Sequence, residues 1–231
     1  PHAIYTALAD TNDLMSRVVR DGLTTHGHPR ALIGACIHAL AVRHALGEGG
    51  TLGYGDLLHV VATSEIWRQP DFFLNAIDDD WGHSYSLHSS DGHTHPADQW
   101  MQVVHEVDGL LSIAADELAR GATGNDQRAL SALGCFDKSQ SGSGTVTAVA
   151  AIYVASRTAA RPMSGLLRTA FLRDADTDTL CAMTGSLLGA IHGPDWLGQL
   201  MSSVQDRDYI TDQAVKLAEA GDEKFLESFG I

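Results

Sequence analysis

The stretch "RDADTDTLCAMTGSLLGAIHG", Arg173 to Gly193, decides how this chain folds. It places three carboxylates within five residues, directly ahead of an apolar run that carries no further charge before its final histidine. Asp and Thr favour helix starts and the apolar residues recur at helical spacing, which together predict a helix over Thr179–Ile191. Along that helix glycine recurs every four residues, at Gly185, Gly189 and Gly193.

The glycines of this helix need an explanation. A glycine in a helix interior costs about 0.8–1.0 kcal/mol relative to alanine, so another interaction should offset the loss. The neighbours Ala182, Ser186 and Ala190 leave one face of the helix almost without side chains. We therefore expect the backbone of another element to approach this face closely and to hold the acidic turn rigidly.

The acidic turn itself, "DTDT" from Asp176 to Thr179, has two interpretations. Hard divalent cations take oxygen ligands, so the carboxylates of Asp176 and Asp178 and the hydroxyl of Thr179 could supply half the shell of Mg²⁺, Mn²⁺ or Ca²⁺. The same residue types cap helices, because their oxygens accept the free amide protons of the first turn and their charge suits the helix dipole. Spacing alone leaves both interpretations open.

Composition limits the class of protein. A chain of 231 residues with 44% apolar residues can bury a full core, and we expect a single domain over residues 1–231. The net charge of −14 would repel a phosphate backbone, so nucleic acid is not expected as a partner. The three cysteines form no CxxC pair, and we find no long apolar run and no basic leader. This pattern favours a cytoplasmic protein with reduced thiols, without disulfides, zinc or a membrane span.

Helical periodicity extends along most of the chain, with little of the alternation typical of half-buried strands. The clearest helix is predicted at Ala97–Arg120, where an apolar stripe ends before Gly121, a residue typical of a helix C-terminus. The other helices are predicted at Ala3–Arg20, Pro29–Leu46, Gly55–Trp67, Thr145–Ser156, Ser164–Leu172 and Thr211–Glu219. The pattern predicts an all-α fold.

The segment "DDDWGHSYSLHSSDGHTHP", Asp78 to Pro96, has the composition of a loop, and we expect a mobile surface loop there. Its histidines and nearby carboxylates could also form a transition-metal site, but their spacing matches no defined set of ligands. These histidines are His83, His88, His93 and His95. A further hypothesis is an insertion near the mouth of a pocket that contacts a modified target.

The acidic turn and the glycine helix resemble the C-terminal signature of the ADP-ribosylglycohydrolase family. The matching positions are Asp176, Asp178, Thr179, Gly185, Gly189, Ala190 and Gly193. Two other stretches resemble the family in the same order. "LTTHGHPRALIGACIHALAV" (Leu23–Val42) is similar to its threonine-histidine segment, and "GSGTVTAVAAIYVASR" (Gly142–Arg157) to its glycine-rich substrate loop and following helix. The resemblance implies a compact, single-domain orthogonal helical bundle.

The resemblance also implies a chemistry. Members of the family are metal-dependent hydrolases that remove ADP-ribose from a modified protein side chain or small molecule, with two divalent cations, Mg²⁺ or Mn²⁺. Asp176, Asp178 and Thr179 would then be metal ligands. His26 would line the ADP-ribose pocket, although a histidine there could instead start a helix or bond to backbone in the core.

The loop from Ser139 to Thr145 completes the set of candidate site residues. Its hydroxyls and unhindered amides suit ribose and phosphate, although flexible connectors share this composition. The residues that the resemblance assigns to substrate binding are Ser141, Gly142, Ser143, Gly144 and Thr145.

The family's opening segment, which carries a GD pair, a glutamate and a TDDT-like motif, has no counterpart in this sequence. "LGYGDLLH" (Leu52–His59) has a GD in the wrong order, and "IDDDW" (Ile77–Trp81) lacks the threonines. We therefore expect the chain to be the C-terminal two-thirds of such a protein, with the general acid-base glutamate in the absent segment. On its own it should hold metal weakly.

Three functional hypotheses follow. The first is an ADP-ribosyl hydrolase completed by a segment or partner chain that carries the N-terminal motifs. The second is a non-catalytic module that binds ADP-ribose or a protein and retains half of the metal site. The third is a helical scaffold in which the acidic turn is only a helix cap.

Overall fold

The structure, a computed structural model, describes residues 1–48, 51–77, 79–88 and 95–228. Over these ranges the chain forms helices and turns and contains no strand. The α-helices in chain order are α1 (His2–Tyr5), α2 (Thr11–Leu23), α3 (Pro29–Glu48), α4 (Asp56–Thr63), α5 (Asp71–Leu74), α6 (Asp79–His88), α7 (Pro96–Ala119), α8 (Asp126–Ala132), α9 (Gly144–Thr158), α10 (Pro162–Ala170), α11 (Thr177–His192) and α12 (Arg207–Ser228). Short 3-10 helices cover Ile66–Arg68, Gly121–Thr123 and Asp195–Ser203. The all-α prediction is confirmed. In the described part of the chain, no helix is long and apolar enough to cross a membrane.

Three of the predicted helices are wrong in extent. The one predicted over Thr211–Glu219 is too short, since α12 extends from Arg207 to Ser228. The helix predicted over Ala3–Arg20 is interrupted, because Asp10 has extended backbone and its side chain accepts a hydrogen bond from the Asn12 amide, which starts a new helix. The helix predicted over Gly55–Trp67 ends where the backbone of Ser64 becomes extended. The short helices α5 and α8 were not predicted, since a segment of four to seven residues is too short to show helical periodicity.

The loop predicted from Asp78 to Pro96 is partly wrong, because α6 occupies its first half. Trp81 and Tyr85, four residues apart on this helix, stack with their ring centroids 5.0 Å apart. Both rings also pack edge-on against the buried ring of Phe73. Residues four apart share one face of a helix, so these aromatic contacts stabilise a helix in a segment whose overall composition is that of a loop.

The histidines of this segment have separate positions. His83 belongs to α6, whereas His95 precedes α7 and accepts a hydrogen bond from the Ala97 amide at 3.2 Å. His95 is therefore a helix cap. His93 and the side chain of His88 lie outside the described residues, so the metal and target-contact hypotheses for this segment stay predictions.

The helices α3, α9 and α11 pack against one another and form the centre of the fold. Near their N-terminal ends, a Cβ added to Gly34 of α3 would lie 2.4 Å from the carbonyl oxygen of Gly144, the first residue of α9. At the other end, Nε2 of His192 in α11 lies 2.6 Å from the carbonyl oxygen of Ala159, directly after α9. Since α9 and α11 are similar in length and pack along each other, their N-termini lie at the same end of the fold.

The close backbone approach predicted for the glycine face of α11 is wrong. A Cβ added to Gly189 or Gly193 would meet nothing within 4 Å, and one at Gly185 would meet only the side chain of Leu166 at 3.3 Å. The close approaches occur at other glycines. A Cβ at Gly221 of α12, for example, would lie 2.2 Å from the carbonyl oxygen of Tyr5. The apolar spacing identified α11 correctly, but not which side of it is covered.

Candidate metal and substrate site

The acidic turn connects the end of α10 to the start of α11. Asp174 has a left-handed backbone, with φ of 64°, and the chain enters α11 two residues later. Asp176 is the N-cap of that helix, since its Oδ1 accepts a long hydrogen bond of 3.4 Å from the Thr179 amide. The capping interpretation is therefore confirmed for this residue, which does not prevent its second oxygen from binding a cation.

Asp178 and Thr179 have a different environment from Asp176. Both are exposed, and neither side chain has a hydrogen-bond or ion-pair partner among the described residues. The donor set of two carboxylates and one hydroxyl fits a hard divalent cation and would supply three of about six oxygen ligands. Among the described residues, no group of three or more His, Cys, Asp or Glu side chains is close enough to hold a metal ion. Metal binding at this turn stays a prediction.

The loop ahead of α9 is held in a series of tight turns. Oδ1 of Asp137 accepts hydrogen bonds from the amide and hydroxyl of Ser139, at 2.9 and 2.7 Å, and the hydroxyl bond lowers the pKa of this carboxyl. The Ser141 amide donates to the carbonyl of Asp137 at 2.7 Å, and the Ser143 amide donates to the carbonyl of Gln140 at 2.7 Å. Such a bonded loop differs from a flexible glycine-serine connector, which has few internal bonds.

Thr145, the last residue of this loop, anchors it to the rest of the protein. It is buried, and its hydroxyl donates to Oε1 of Glu106 at 2.8 Å and lies 2.9 Å from the hydroxyl of Ser143. Glu106 in turn forms an ion pair with Arg30, with Nη2 and Oε2 2.7 Å apart. The hydroxyl of Thr145 therefore bonds to the protein itself, and Gly142 is the most exposed of the predicted loop residues.

The sequence did not indicate a role for Arg30 or Glu106. Glu106 connects Arg30, at the start of α3, to Thr145, at the start of α9. A signal for Glu106 exists: it is a charged residue beside the buried stripe positions Val103 and Val107 of α7. A carboxylate at such a position needs a partner, because an unpaired charge near the core is costly. The sequence does not reveal that the partner is Arg30, which is 76 residues away.

His26 lies exposed between α2 and α3, with Nδ1 2.8 Å from the hydroxyl of Thr25. The histidine that caps α3 is His28, whose Nδ1 accepts a hydrogen bond from the Arg30 amide at 3.1 Å. Partial burial of the ring, assisted by the charge of Arg30, lowers the pKa of His28. The helix-start role considered for His26 therefore belongs to His28, and the ring of His26 remains available for a ligand.

The fold brings the predicted segments to one end of the central helices. A Cβ added to Gly144 would lie 2.8 Å from the carbonyl oxygen of Arg30, so the substrate loop and the start of α3 are in contact. A cavity of about 570 Å³ lies beside Asp174, two residues ahead of the acidic turn, and is lined by Phe136, Arg168 and Phe171 among others. Phe136 is three residues from the start of the loop, so this cavity lies between the loop's approach and the acidic turn. The described residues include no hydrogen bond from the acidic turn to the loop or to His26.

An apolar groove of about 630 Å³ runs along the glycine face of α11, between α11, α3, α2 and the first residues of the chain. On its wall, Nε2 of His38 lies 3.0 Å from the hydroxyl of Ser186, which donates to the carbonyl of Met183 at 2.8 Å. Nε2 must then be the donor, which leaves the buried Nδ1 as an acceptor without a partner. Burial lowers the pKa of His38 to about 4, so this histidine is neutral at pH 7.

The structure is therefore a helical domain in which a carboxylate-rich turn precedes α11 and a serine-glycine loop precedes α9. The sequence matches the family described as ADP-ribosylglycohydrolase over residues 1–226. The chain belongs to the ADP-ribosylglycohydrolase family. No match was found among curated proteins or among solved structures. That the chain corresponds to the C-terminal two-thirds of the family's sequence stays a prediction.

Proposed function

We propose that this protein is a metal-dependent hydrolase that removes ADP-ribose from a modified protein side chain or small molecule. The observation that carries the proposal is the match to this family over residues 1–226. The contact of the serine-glycine loop with the start of α3, and the acidic turn at the start of the neighbouring α11, support it. Helix N-termini favour anions, so their convergence suits a ligand that contains a pyrophosphate.

In this proposal the residues divide into two groups. Asp176, Asp178 and Thr179 hold a divalent cation, Mg²⁺ or Mn²⁺, at the entrance to α11. When bound, such cations orient ribose hydroxyls and a water and stabilise charge near the anomeric carbon. The loop 141–144 binds the nucleotide through its hydroxyls and amides. The first amides of α9 suit this role because Ser143 provides no side-chain cap for them.

The remaining ligands and the general acid-base glutamate come, in this proposal, from a segment or partner chain that carries the N-terminal motifs. The apolar groove along α11 offers such a segment a place to pack. Its walls include small residues such as Ala35, Ala39 and Gly189, which allow an apolar helix to approach closely.

Metal binding can be tested separately from catalysis. Titration calorimetry with Mn²⁺ should detect weak binding by this chain and none by Asp178→Asn. The matched control is Asp10→Asn, which alters another helix-capping aspartate whose side chain accepts from the Asn12 amide. If Asp178→Asn and Asp10→Asn bind Mn²⁺ as the wild type does, the acidic turn is only a cap and the proposal is wrong.

Catalysis is tested by release of ADP-ribose from an ADP-ribosylated protein, with and without a chelator, using the chain together with the segment that carries the N-terminal motifs. We expect chelator-sensitive release that Asp178→Asn abolishes. The alternative, a non-catalytic module that binds ADP-ribose or a protein, is favoured if the assembly binds ADP-ribose but releases none.

A further inference from the structure

A third cavity, of about 460 Å³, lies at the C-terminal end of α9. Arg157 and Thr158, at the C-terminal end of that helix, line one side, and Arg161, Ser164 and Arg168 line the other. Three arginines therefore surround one small cavity in a protein whose net charge is −14. Positive charges that lie close together repel one another unless carboxylates compensate them. The number of carboxylates near the cavity therefore determines whether it can bind an anion.

One carboxylate, Asp126, compensates part of this charge. Its Oδ1 lies 2.6 Å from Nε of Arg157, and its Oδ2 pairs with Nη1 of Arg168. The hydroxyl of Tyr153 also donates to Asp126, at 3.0 Å. Three arginines against one carboxylate leave an excess of two positive charges beside the cavity.

The three arginines differ in their freedom to bind a ligand. Arg157 is committed to the protein, because its two terminal nitrogens donate to the hydroxyl of Tyr54 and to the carbonyls of Gly121 and Gly124 at 2.9–3.0 Å. Arg168 has only one of its nitrogens paired, and its side chain is 38% exposed. Arg161 is exposed, and within the described residues no carboxylate lies within 4.0 Å of it. Arg161 and Arg168 therefore have N–H groups free to bind a ligand, whereas Arg157 contributes only its positive charge.

The positions of these donors favour a tetrahedral anion. Arg161 is the N-cap of α10, with non-helical backbone, and Arg168 lies in the last turn of that helix, so the two guanidinium groups reach the cavity from different parts of the element. Ser164 lies between them in the sequence and also lines the cavity. A planar carboxylate matches one guanidinium fork, whereas phosphate presents oxygens in several directions and can accept from both.

From this arrangement we infer that the cavity between α9 and α10 is a binding site for a phosphate-bearing small molecule, with Arg161 as its principal ligand-binding residue. Arg168 also lines the cavity beside Asp174, whereas Arg157, Arg161 and Ser164 line only this one. The inference does not depend on the proposed hydrolase activity. Its location at the C-terminal end of α9 makes it suited to regulation by a phosphorylated compound.

The test is titration calorimetry of the full chain with inorganic phosphate, in metal-free buffer at an ionic strength held constant with KCl. We expect saturable binding of one phosphate, which Arg161→Glu weakens by at least about tenfold because a charge-assisted fork is lost and repulsion replaces it. Arg161→Lys keeps the charge without the fork and should weaken binding less. The matched control is Arg207→Glu, an exposed arginine paired with its neighbour Asp208, which should leave binding unchanged.

Three outcomes would overturn the inference. These are no phosphate binding by the wild type, equal binding by folded Arg161→Glu, or acetate binding as tight as that of phosphate. Circular dichroism establishes that each variant is folded. Asp178→Asn should bind phosphate normally, so failure of the metal site and failure of this site are distinguishable.

Discussion

Gly34→Ala tests whether the contact between α3 and α9 holds the candidate site together. In an open helix this substitution stabilises by about 0.8–1.0 kcal/mol, because alanine is the better helix former. Here the new Cβ would lie 2.4 Å from the carbonyl oxygen and 2.5 Å from the carbonyl carbon of Gly144. The optimal separation of such atoms is about 3.5 Å, so the two helices must separate by about 1 Å.

The expected change in the free energy of unfolding is the cost of overpacking less the gain in helix propensity. Overpacking of a core costs about 1–3 kcal/mol, and this contact should lie at the upper end, because a backbone carbonyl cannot rotate away as a side chain can. After the gain in helix propensity, Gly34→Ala should destabilise the fold by about 1–2 kcal/mol. For a chain of this length that lowers the Tm by about 2–8 °C.

The assay is thermal unfolding followed by circular dichroism, with Gly109→Ala as the matched control. Gly109 lies inside α7, and a Cβ added there would meet nothing within 4 Å. The substitution Gly109→Ala should therefore raise the free energy of unfolding by up to about 1 kcal/mol. If Gly34→Ala is as stable as Gly109→Ala, the backbones of α3 and α9 are not in the close contact described here.

Three further predictions concern single side chains. Glu106→Ala removes the acceptor of the buried Thr145 hydroxyl and an ion pair, and urea unfolding should show a loss of about 1–2 kcal/mol, whereas an unchanged midpoint would contradict the described network. The hydrogen bond from Arg128 lowers the pKa of Glu117, so its carboxylate stabilises the fold at neutral pH. This contribution is lost as the pH falls from about 5 to about 3. Glu117→Gln should flatten that part of the pH–stability curve, and an unaltered curve would refute the assignment. Asp174→Val should destabilise by about 1–2 kcal/mol, because a β-branched residue is strained at φ of 64°, and wild-type stability in thermal unfolding would show that the turn is not left-handed.

The helices that could be predicted are those whose apolar residues repeat over several turns. α7 was predicted to within a residue at each end, because its apolar stripe is long and Gly121 follows it. Periodicity carries no signal for a break caused by one cap, so the interruption at Asp10 was missed. It also fails where two aromatic residues stabilise a short helix, as Trp81 and Tyr85 do in α6.

The sequence by itself determined the helical class of this protein, its family and the oxygen-rich chemistry at the entrance to α11. These are local properties, because residue type and spacing along one segment carry them. Only the tertiary structure decided which glycines are in close contact, that Glu106 connects Arg30 to Thr145, and that arginines from α9 and α10 surround a cavity. Each of these depends on the distance between residues far apart in the chain, and that distance is set by how the helices pack rather than by any single segment.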